Sequence, residues 1–394
     1  MSERTDGARI VRVEAFPVPP RWILVRLETA DGAVGWGESI VPKRLRAVLG
    51  AIDDLAAGIT GADANRIEDL YQRMRREGFF RGGPILSTAA AAIDHALWDR
   101  KGRVHGLPVY EFLGGAVRES VPLYAWIGGD RPSDVVAHAK ARRQQGFRAV
   151  KMNATEELDY LDSHAAIDAV VARVGALRDA YGAGLRIALD FHGRVHRAMA
   201  KALFRELDAY GLMWFEEPLG PGFEDSLPEI ARLTGRTPIA TGERLTSRQE
   251  FARLLEQRVV DVIQPDVSLT GLFELEKICR MAEAYDVAVA PHCPNGPVSL
   301  AATLQVDACA GNVVLQEQSL GLHYNLGYAG LAAAEMHDYL RDAAPLTQQD
   351  GSLAVPAGPG LGIDVAEDVV RDRAATWQLS EPGWRYPDGR LAEW

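Results

Sequence analysis

A (β/α)7β barrel preceded by a smaller α+β domain is the fold that this 394-residue sequence predicts. Three observations carry the prediction. Six short apolar runs each end in an ionisable residue: Ile187-Ala188-Leu189 in Asp190, Met213-Trp214-Phe215 in Glu216, Ile239-Ala240-Thr241-Gly242 in Glu243, Val262-Ile263-Gln264-Pro265 in Asp266, the run from Val287 to Pro291 in His292, and Val313-Val314-Leu315-Gln316 in Glu317. These positions are spaced by 26, 27, 23, 26 and 25 residues, and about 25 residues is what one strand, one helix and two short loops occupy in an eightfold barrel. Ahead of them lies a stretch with period-two alternation and a hairpin turn, which belongs to an antiparallel sheet. Barrel enzymes place their catalytic groups at the C-terminal strand ends, where all six residues lie. Acidic residues closing strands at the water boundary account for one or two such positions, not for six in phase.

In chain order, Ile10 to Phe16 and Trp22 to Thr29 alternate with period two, and Asp31-Gly32 turns the chain into Val34-Gly35-Trp36-Gly37-Glu38. From Lys43 the pattern is helical. The segment Ile85 to Gly102, with Ala89, Ala92, Ile93 and Leu97 at three- and four-residue intervals, predicts a buried helix. Val121 to Ile127 opens the barrel, and Phe147 to Asn153 is its second strand. Between them Pro132-Ser133-Asp134 starts a helix with Ser133 as its cap. Helices are expected near 157–181, 196–210, 223–234, 247–257, 272–285 and 297–310, an alternation that requires a parallel sheet. The expected divisions are a capping domain over 1–121, a TIM-like barrel over 122–330, and a segment over 331–394 that folds back onto the capping domain.

Composition bounds the partners. The formal net charge is −11 and no Lys/Arg-rich run occurs, which argues against nucleic acid or an anionic membrane. Any anionic substrate therefore needs a local positive charge. No apolar stretch approaches a membrane span, and Met1 to Asp6 lacks the apolar core of a signal peptide, so a cytoplasmic location is expected. Cys279, Cys293 and Cys309 form no ligand motif. Cys293 adjoins a site candidate, but adjacent strand residues face opposite sides, which makes it a packing residue.

Asp190, Glu216 and Glu243 come from successive strands and offer oxygen alone, with no Cys or His spaced to join them. Such a set, leaving positions for water and substrate, suits Mg²⁺ better than zinc. Glu217 should point away from it. Asp266 and His292 end neighbouring strands, and an Asp bonded to an imidazole fixes its tautomer and raises its basicity. A base beside a metal-held carboxylate suggests abstraction of the proton α to that carboxylate, with Glu317, if protonated, donating to the enediolate. His192, two residues after Asp190, faces His292 from half a barrel away, so one imidazole serves as base and the other as acid. Lys151, Asn153, Trp22 and His323 complete the candidates as substrate contacts; His196 has no site partner.

With these residues in hand, the chain resembles the enolase superfamily in its mandelate racemase subgroup. The resemblance rests on Pro20-Arg21-Trp22, Val34 to Glu38, Phe80 to Leu86, Gly128 to Pro132, Leu189 to Val195, Glu216-Glu217-Pro218, Ala290 to Pro294, Gln316 to Ser319 and Ala392-Glu393-Trp394, and so spans nearly the whole chain. It implies metal ligands at Asp190, Glu216 and Glu243, a general acid at His192, an Asp266–His292 base dyad and an enediolate donor at Glu317. It further implies a homo-oligomer acting on a small sugar acid, D-galactonate first and another hexonate or pentonate second, to give a 2-keto-3-deoxy acid. Three stretches depart from the family pattern: Ser268-Leu269-Thr270-Gly271 is shorter and lacks a His, Leu326 stands where a Lys is usual, and the loop from Ile40 to Leu45 differs. The acid end of the substrate is therefore better determined than its length and stereochemistry. A hydroxy-acid racemase or epimerase would use two bases, with Lys151 facing His292, but Asn153 stands where the second Lys of that pattern belongs. A non-catalytic scaffold would lack Mg²⁺ affinity.

Overall fold

The computed structural model of the protein describes residues 7–128, 132–155, 158–318, 337–376, 385–386 and 388–391. Strands β1 (Ile10–Val18), β2 (Trp22–Thr29) and β3 (Val34–Ser39) form an antiparallel meander. It is followed by helices α1 (Leu45–Ile59), α2 (Ile67–Arg76) and α3 (Pro84–His105). Helix α3 lies directly on β3 because Gly35 and Gly37 present no side chain there: a Cβ on either would fall within 2.0 Å of a carbonyl oxygen of α3.

The barrel then runs β4 (Ser120–Trp126), α4 (Pro132–Gln144), β5 (Ala149–Asn153), α5 (His164–Tyr181), β6 (Arg186–Asp190) and α6 (Arg197–Leu207). It continues through β7 (Trp214–Glu216), α7 (Leu227–Ala231), β8 (Ile239–Thr241), α8 (Arg248–Glu256) and β9 (Val262–Ile263). It ends with α9 (Val267–Thr270), α10 (Leu272–Ala284), β10 (Ala288–Val289), α11 (Pro297–Asp307) and β11 (Gln316–Glu317). The strands are parallel in the order β10-β9-β8-β7-β6-β5-β4-β11. A bridge between Val289 and Val313 joins the two ends of that order, which makes the predicted (β/α)7β closure. Later, β12 (Ser352–Ala354) pairs antiparallel with β4, and α12 (Glu367–Thr376) reaches β1 through the Arg371–Glu14 ion pair and β2 through the Arg26–Glu367 ion pair. Among the described residues no helix is long and apolar enough to cross a membrane.

Two local expectations fail for identifiable reasons. Ser133 does not cap α4, because the helix already starts at Pro132, the residue whose missing N–H suits a first turn. Helix α5 starts at His164 rather than near 157: Asp159 and Asp162 accept hydrogen bonds from the amides of Tyr160 and Ser163, and such local bonds compete with helix.

Two buried carboxylates fasten the capping elements onto the barrel. Glu38 accepts the amides of Gly296, Val298 and Ser299 at the start of α11, at 2.5, 3.0 and 3.1 Å. Asp94 accepts the amide of Leu272 at the start of α10, at 2.8 Å. Both use the positive end of a barrel helix. Glu38→Ala should therefore lower stability by about 3 kcal/mol, since it orphans three buried amides, as read from the urea midpoint. Burial lifts both carboxyls to about 7, above the ordinary range near 4. The folded chain thus holds more protons than the unfolded one between about 4 and 7, so their contribution to stability is greatest below that window and falls as pH rises through it. Urea midpoints at pH 5 and pH 8 should show this slope, and the Glu38→Gln, Asp94→Asn double variant should flatten it.

Candidate active site

The barrel interior explains how the site is raised from the strands. One buried layer takes a residue from each strand or from the position adjoining it: Tyr124, Ala149, Ala188, Trp214, Ala240, Val262, Ala290 and Leu315. Tyr124 and Trp214 fill most of it, edge to face at 5.4 Å, and the alanines make room for them. Strand side chains repeat every two residues, so the next inward layer reads Trp126, Lys151, Asp190, Glu216, Gly242, Gln264, His292 and Glu317. Apolar packing below thus gives way to ionisable groups above. Strand β8 departs by one residue: Gly242 holds the inward position at φ +126°, where a Cβ would come within 2.8 Å of Phe251, and Glu243 follows it inward.

Asp190, Glu216 and Glu243 each offer an oxygen within 4.8 Å of the others. Asp190 and Glu216 are fully enclosed and Glu243 nearly so. His292 turns Nδ1 to Asp266 Oδ2 at 2.8 Å and Nε2 to Glu243 Oε2 at 3.4 Å. Asp266 is itself held by the Ser268 amide at 2.7 Å and by Asn295 Nδ2 at 2.9 and 3.1 Å, which fixes the dyad's orientation. His192 reaches Asp190 differently from the expected pleat. Strand β6 stops at Asp190, and His192 sits at φ +50° with its amide donating to Asp190 Oδ1 at 2.8 Å and Nδ1 at 3.4 Å from the same atom. A left-handed turn, uncommon for a non-glycine residue, thus keeps the imidazole beside the carboxylate. Both histidines, Asp266 and Glu243 line one cavity of about 330 Å³.

Several expectations require correction. Lys151 is not a substrate contact: it is fully buried below the cavity, with Nζ 2.5 Å from Glu216, 3.1 Å from Glu317 and 3.3 Å from Asp190, under the Trp126 ring. Trp22 is also wrong, because it packs edge to face on Tyr339 in the core, and its neighbour Arg21 lines the cavity instead. Asn153 pairs in register with Asp190 but does not line the cavity. Glu317, expected to donate if protonated, accepts hydrogen bonds in this structure. Burial alone would raise its pKa, but Lys151 and His292 hold it below the usual range, and its oxygens accept from Trp126 Nε1 at 2.5 Å and the Cys293 amide at 3.0 Å. His323 lies outside the described residues. Glu217 points away as expected, taking Thr241 Oγ1 at 2.7 Å, the Gly242 amide at 3.1 Å and the Arg244 guanidinium. Cys293 is buried, as a packing residue should be.

Arg244 and Asn295 were not singled out from the sequence. Arg244 also donates to the His192 carbonyl at 2.8 Å and lies 3.5 Å from Glu243, so it ties both sides of the site together. Their signal was adjacency: Arg244 follows a predicted ligand and Asn295 comes three residues after His292.

The charge balance bears on a metal. Asp190, Glu216, Glu217, Glu243, Asp266 and Glu317 face Lys151, Arg244 and His292, a formal surplus of three carboxylates over cations even with His292 protonated. Burial accordingly lifts Asp190 to about 6 and Glu216 to about 8, and raises Glu243, with neighbouring carboxylates adding to the effect. Asp190 Oδ2 and Glu243 Oε2 are enclosed without a hydrogen bond. An all-oxygen set with surplus negative charge and two such oxygens fits a divalent cation.

A parallel barrel with a capping sheet, whose strand ends converge on a carboxylate trio between two histidines, defines an enzyme of the enolase type. Residues 134–369 match the family described as Enolase C-terminal domain-like, and residues 19–114 match the Mandelate racemase / muconate lactonizing enzyme, N-terminal domain. The chain belongs to the enolase superfamily. Among its relatives, a D-galactonate dehydratase of Ralstonia pickettii (strain 12J) is 47% identical over 98% of this chain and 100% of its own length. Another, from Pectobacterium atrosepticum, is 45% identical over the same shares. Among solved structures, a mandelate racemase/muconate lactonizing enzyme-like protein from Rubrobacter xylanophilus superposes with a TM-score of 0.84 at 30% identity, over 93% of this chain and 98% of that one. A member of the enolase superfamily from Salmonella Typhimurium gives 0.84 at 28%, over 92% and 97%.

Proposed function

We propose that the protein is a Mg²⁺-dependent sugar-acid dehydratase that removes water from a 2,3-dihydroxy acid, D-galactonate first, to leave a 2-keto-3-deoxy acid. The observation that carries this reading is the meeting of an Asp-anchored imidazole and a second imidazole in one cavity beside three carboxylates. Relatives of nearly half identity along the whole chain are D-galactonate dehydratases, which supports the substrate class. Residues 122–330 carry the chemistry in this reading, and the capping unit of residues 1–121 contributes cavity lining through Arg21, Ile40, Val41, Pro42 and Pro84.

Asp190, Glu216 and Glu243 would hold the cation. When bound, it supplies an electrophile for the substrate carboxylate and neutralises Glu243, the foremost charge keeping His292 protonated. His292, with Nδ1 fixed on Asp266 and Nε2 facing the cavity, takes the C2 proton, and the electron pair passes into the carboxylate to form the enediolate. Lys151, next to Asp190, Glu216 and Glu317, keeps a positive charge below that site. His192 then protonates the departing C3 hydroxyl, and the enol becomes the keto acid. The same cavity could run a racemisation only with a second base, and the lysine that would serve is buried beneath it.

Chelation should abolish formation of 2-keto-3-deoxy acid, and Mg²⁺ should restore it with one ion per chain by calorimetry. Undiminished turnover in thoroughly demetallated protein would sink the metal assignment. Return of an epimeric hydroxy acid, with no keto acid, would assign racemisation instead.

A further inference from the structure

We infer that Arg244 is a positioning residue for the general acid: by holding the His192 carbonyl it fixes the direction of that imidazole, and so serves loss of the C3 hydroxyl rather than removal of the C2 proton. The inference rests on the dehydratase reading and concerns one step within it. His192 sits at φ +50° and Gly193 at φ +65°. Glycine adopts the left-handed region freely, but a residue with a β-carbon stays there only where its surroundings over-determine it. Three hydrogen bonds hold this turn: the His192 amide donates to Asp190 Oδ1 at 2.8 Å, the Gly193 amide to the Glu217 carbonyl at 3.0 Å, and Arg244 Nη2 to the His192 carbonyl at 2.8 Å.

The third bond comes from a side chain with its own scaffold. Arg244 Nη1 donates to Glu217 Oε2, while Glu217 Oε1 accepts from Thr241 Oγ1 at 2.7 Å and from the Gly242 amide at 3.1 Å. A guanidinium is planar and its nitrogens keep a fixed relation, so anchoring one on Glu217 aims the other. The ends of β7 and β8 thereby set where an imidazole following β6 points. His292 has a separate support, since its partner Asp266 is held by the Ser268 amide and Asn295. Loss of Arg244 should therefore reach the acid and spare the base. Arg244 also lies 3.5 Å from Glu243, and taking a positive charge away from a carboxylate that would hold the cation cannot weaken cation binding by charge.

The test uses the full chain with Mg²⁺ and D-galactonate, or whichever hexonate or pentonate the parent turns over. Arg244→Met should lower kcat for release of 2-keto-3-deoxy acid by about 10- to 100-fold, as displacement of a reacting group by about 1 Å does. KM and the exchange of C2 hydrogen in D₂O should each change by less than about threefold, because neither needs the acid in place. Mg²⁺ affinity by calorimetry should be no weaker than in the parent. In a His192→Asn background the same substitution should lower the remaining dehydration by less than about threefold, since a strut has no effect once the group it holds is gone. Arg244→Lys, which keeps the charge but not the fork, should show the same pattern at smaller size and guards against a variant that does not fold. A full-sized loss in the His192→Asn background, a rise in KM with kcat unchanged, equal loss of exchange and dehydration, or weaker Mg²⁺ binding would each overturn the inference and leave the dehydratase reading intact. A parent that releases keto acid from no such substrate overturns both.

Discussion

His292→Asn is expected to lose dehydration by on the order of 10⁴-fold, the upper end of what a positioned proton-transfer group supplies, and with it the exchange of the C2 hydrogen in D₂O. His192→Asn is expected to lose on the order of 10²- to 10³-fold in dehydration while continuing to exchange C2 hydrogen. The difference follows from the order of the steps. Exchange needs only the base, whereas expulsion of the C3 hydroxyl needs the acid as well. Geometry favours His292 as the base, because Asp266 fixes one nitrogen and leaves the other toward the cavity. The charges of the metal-free chain set the resting protonation the other way. Burial opposes it, but Glu243, Glu317 and Asp266 lift His292 to about 10, while burial together with Arg194, Lys151 and Arg244 holds His192 well below its usual value. A dication on Glu243 reduces the first of these effects and a substrate anion in the cavity the second. Exchange by NMR decides the roles: loss of exchange in His192→Asn with retention in His292→Asn would reverse them.

Lys151→Met is expected to destabilise the metal-free protein by about 3–5 kcal/mol, the range for removing one partner of a buried ion cluster. Methionine fills much of the same space, so the loss measures charge rather than a cavity. Lys151 is fully buried, and Asp190, Glu216 and Glu317 lie within 3.3 Å of its Nζ. Without it those carboxylates are left with neither water nor a cation. Saturating Mg²⁺ should recover part of the loss, since any ligand that binds only the folded chain stabilises it. Denaturant midpoints of both proteins, with chelator and with Mg²⁺, test the assignment. A Lys151→Met protein as stable as its parent in chelator would mean that the lysine does not balance the trio.

By itself the sequence determined the barrel, the order of its strands, the three carboxylates and both histidines. Strand and helix each impose a strict period, and a barrel places every strand's C-terminal end on one rim. Ionisable residues spaced by about 25 positions after apolar runs therefore converge however the intervening loops are built. Tertiary structure alone decided how deep each residue lies and what it touches. Lys151 and Glu317 follow the same periodicity as the cavity residues, yet they end up as a buried pair, because depth along a barrel axis depends on strand stagger that no single strand records. His192 was placed in the right company for an incomplete reason, since the positive φ that aims it arises where β6 ends rather than from a pleat. Trp22 and Arg21 exchanged roles because one residue of register selects core or cavity. Glu38 and Asp94 gave no signal at all: a carboxylate becomes a clamp on a helix start only when a distant helix is brought to it, and contacts across 178 to 261 residues of chain belong to packing rather than to local pattern.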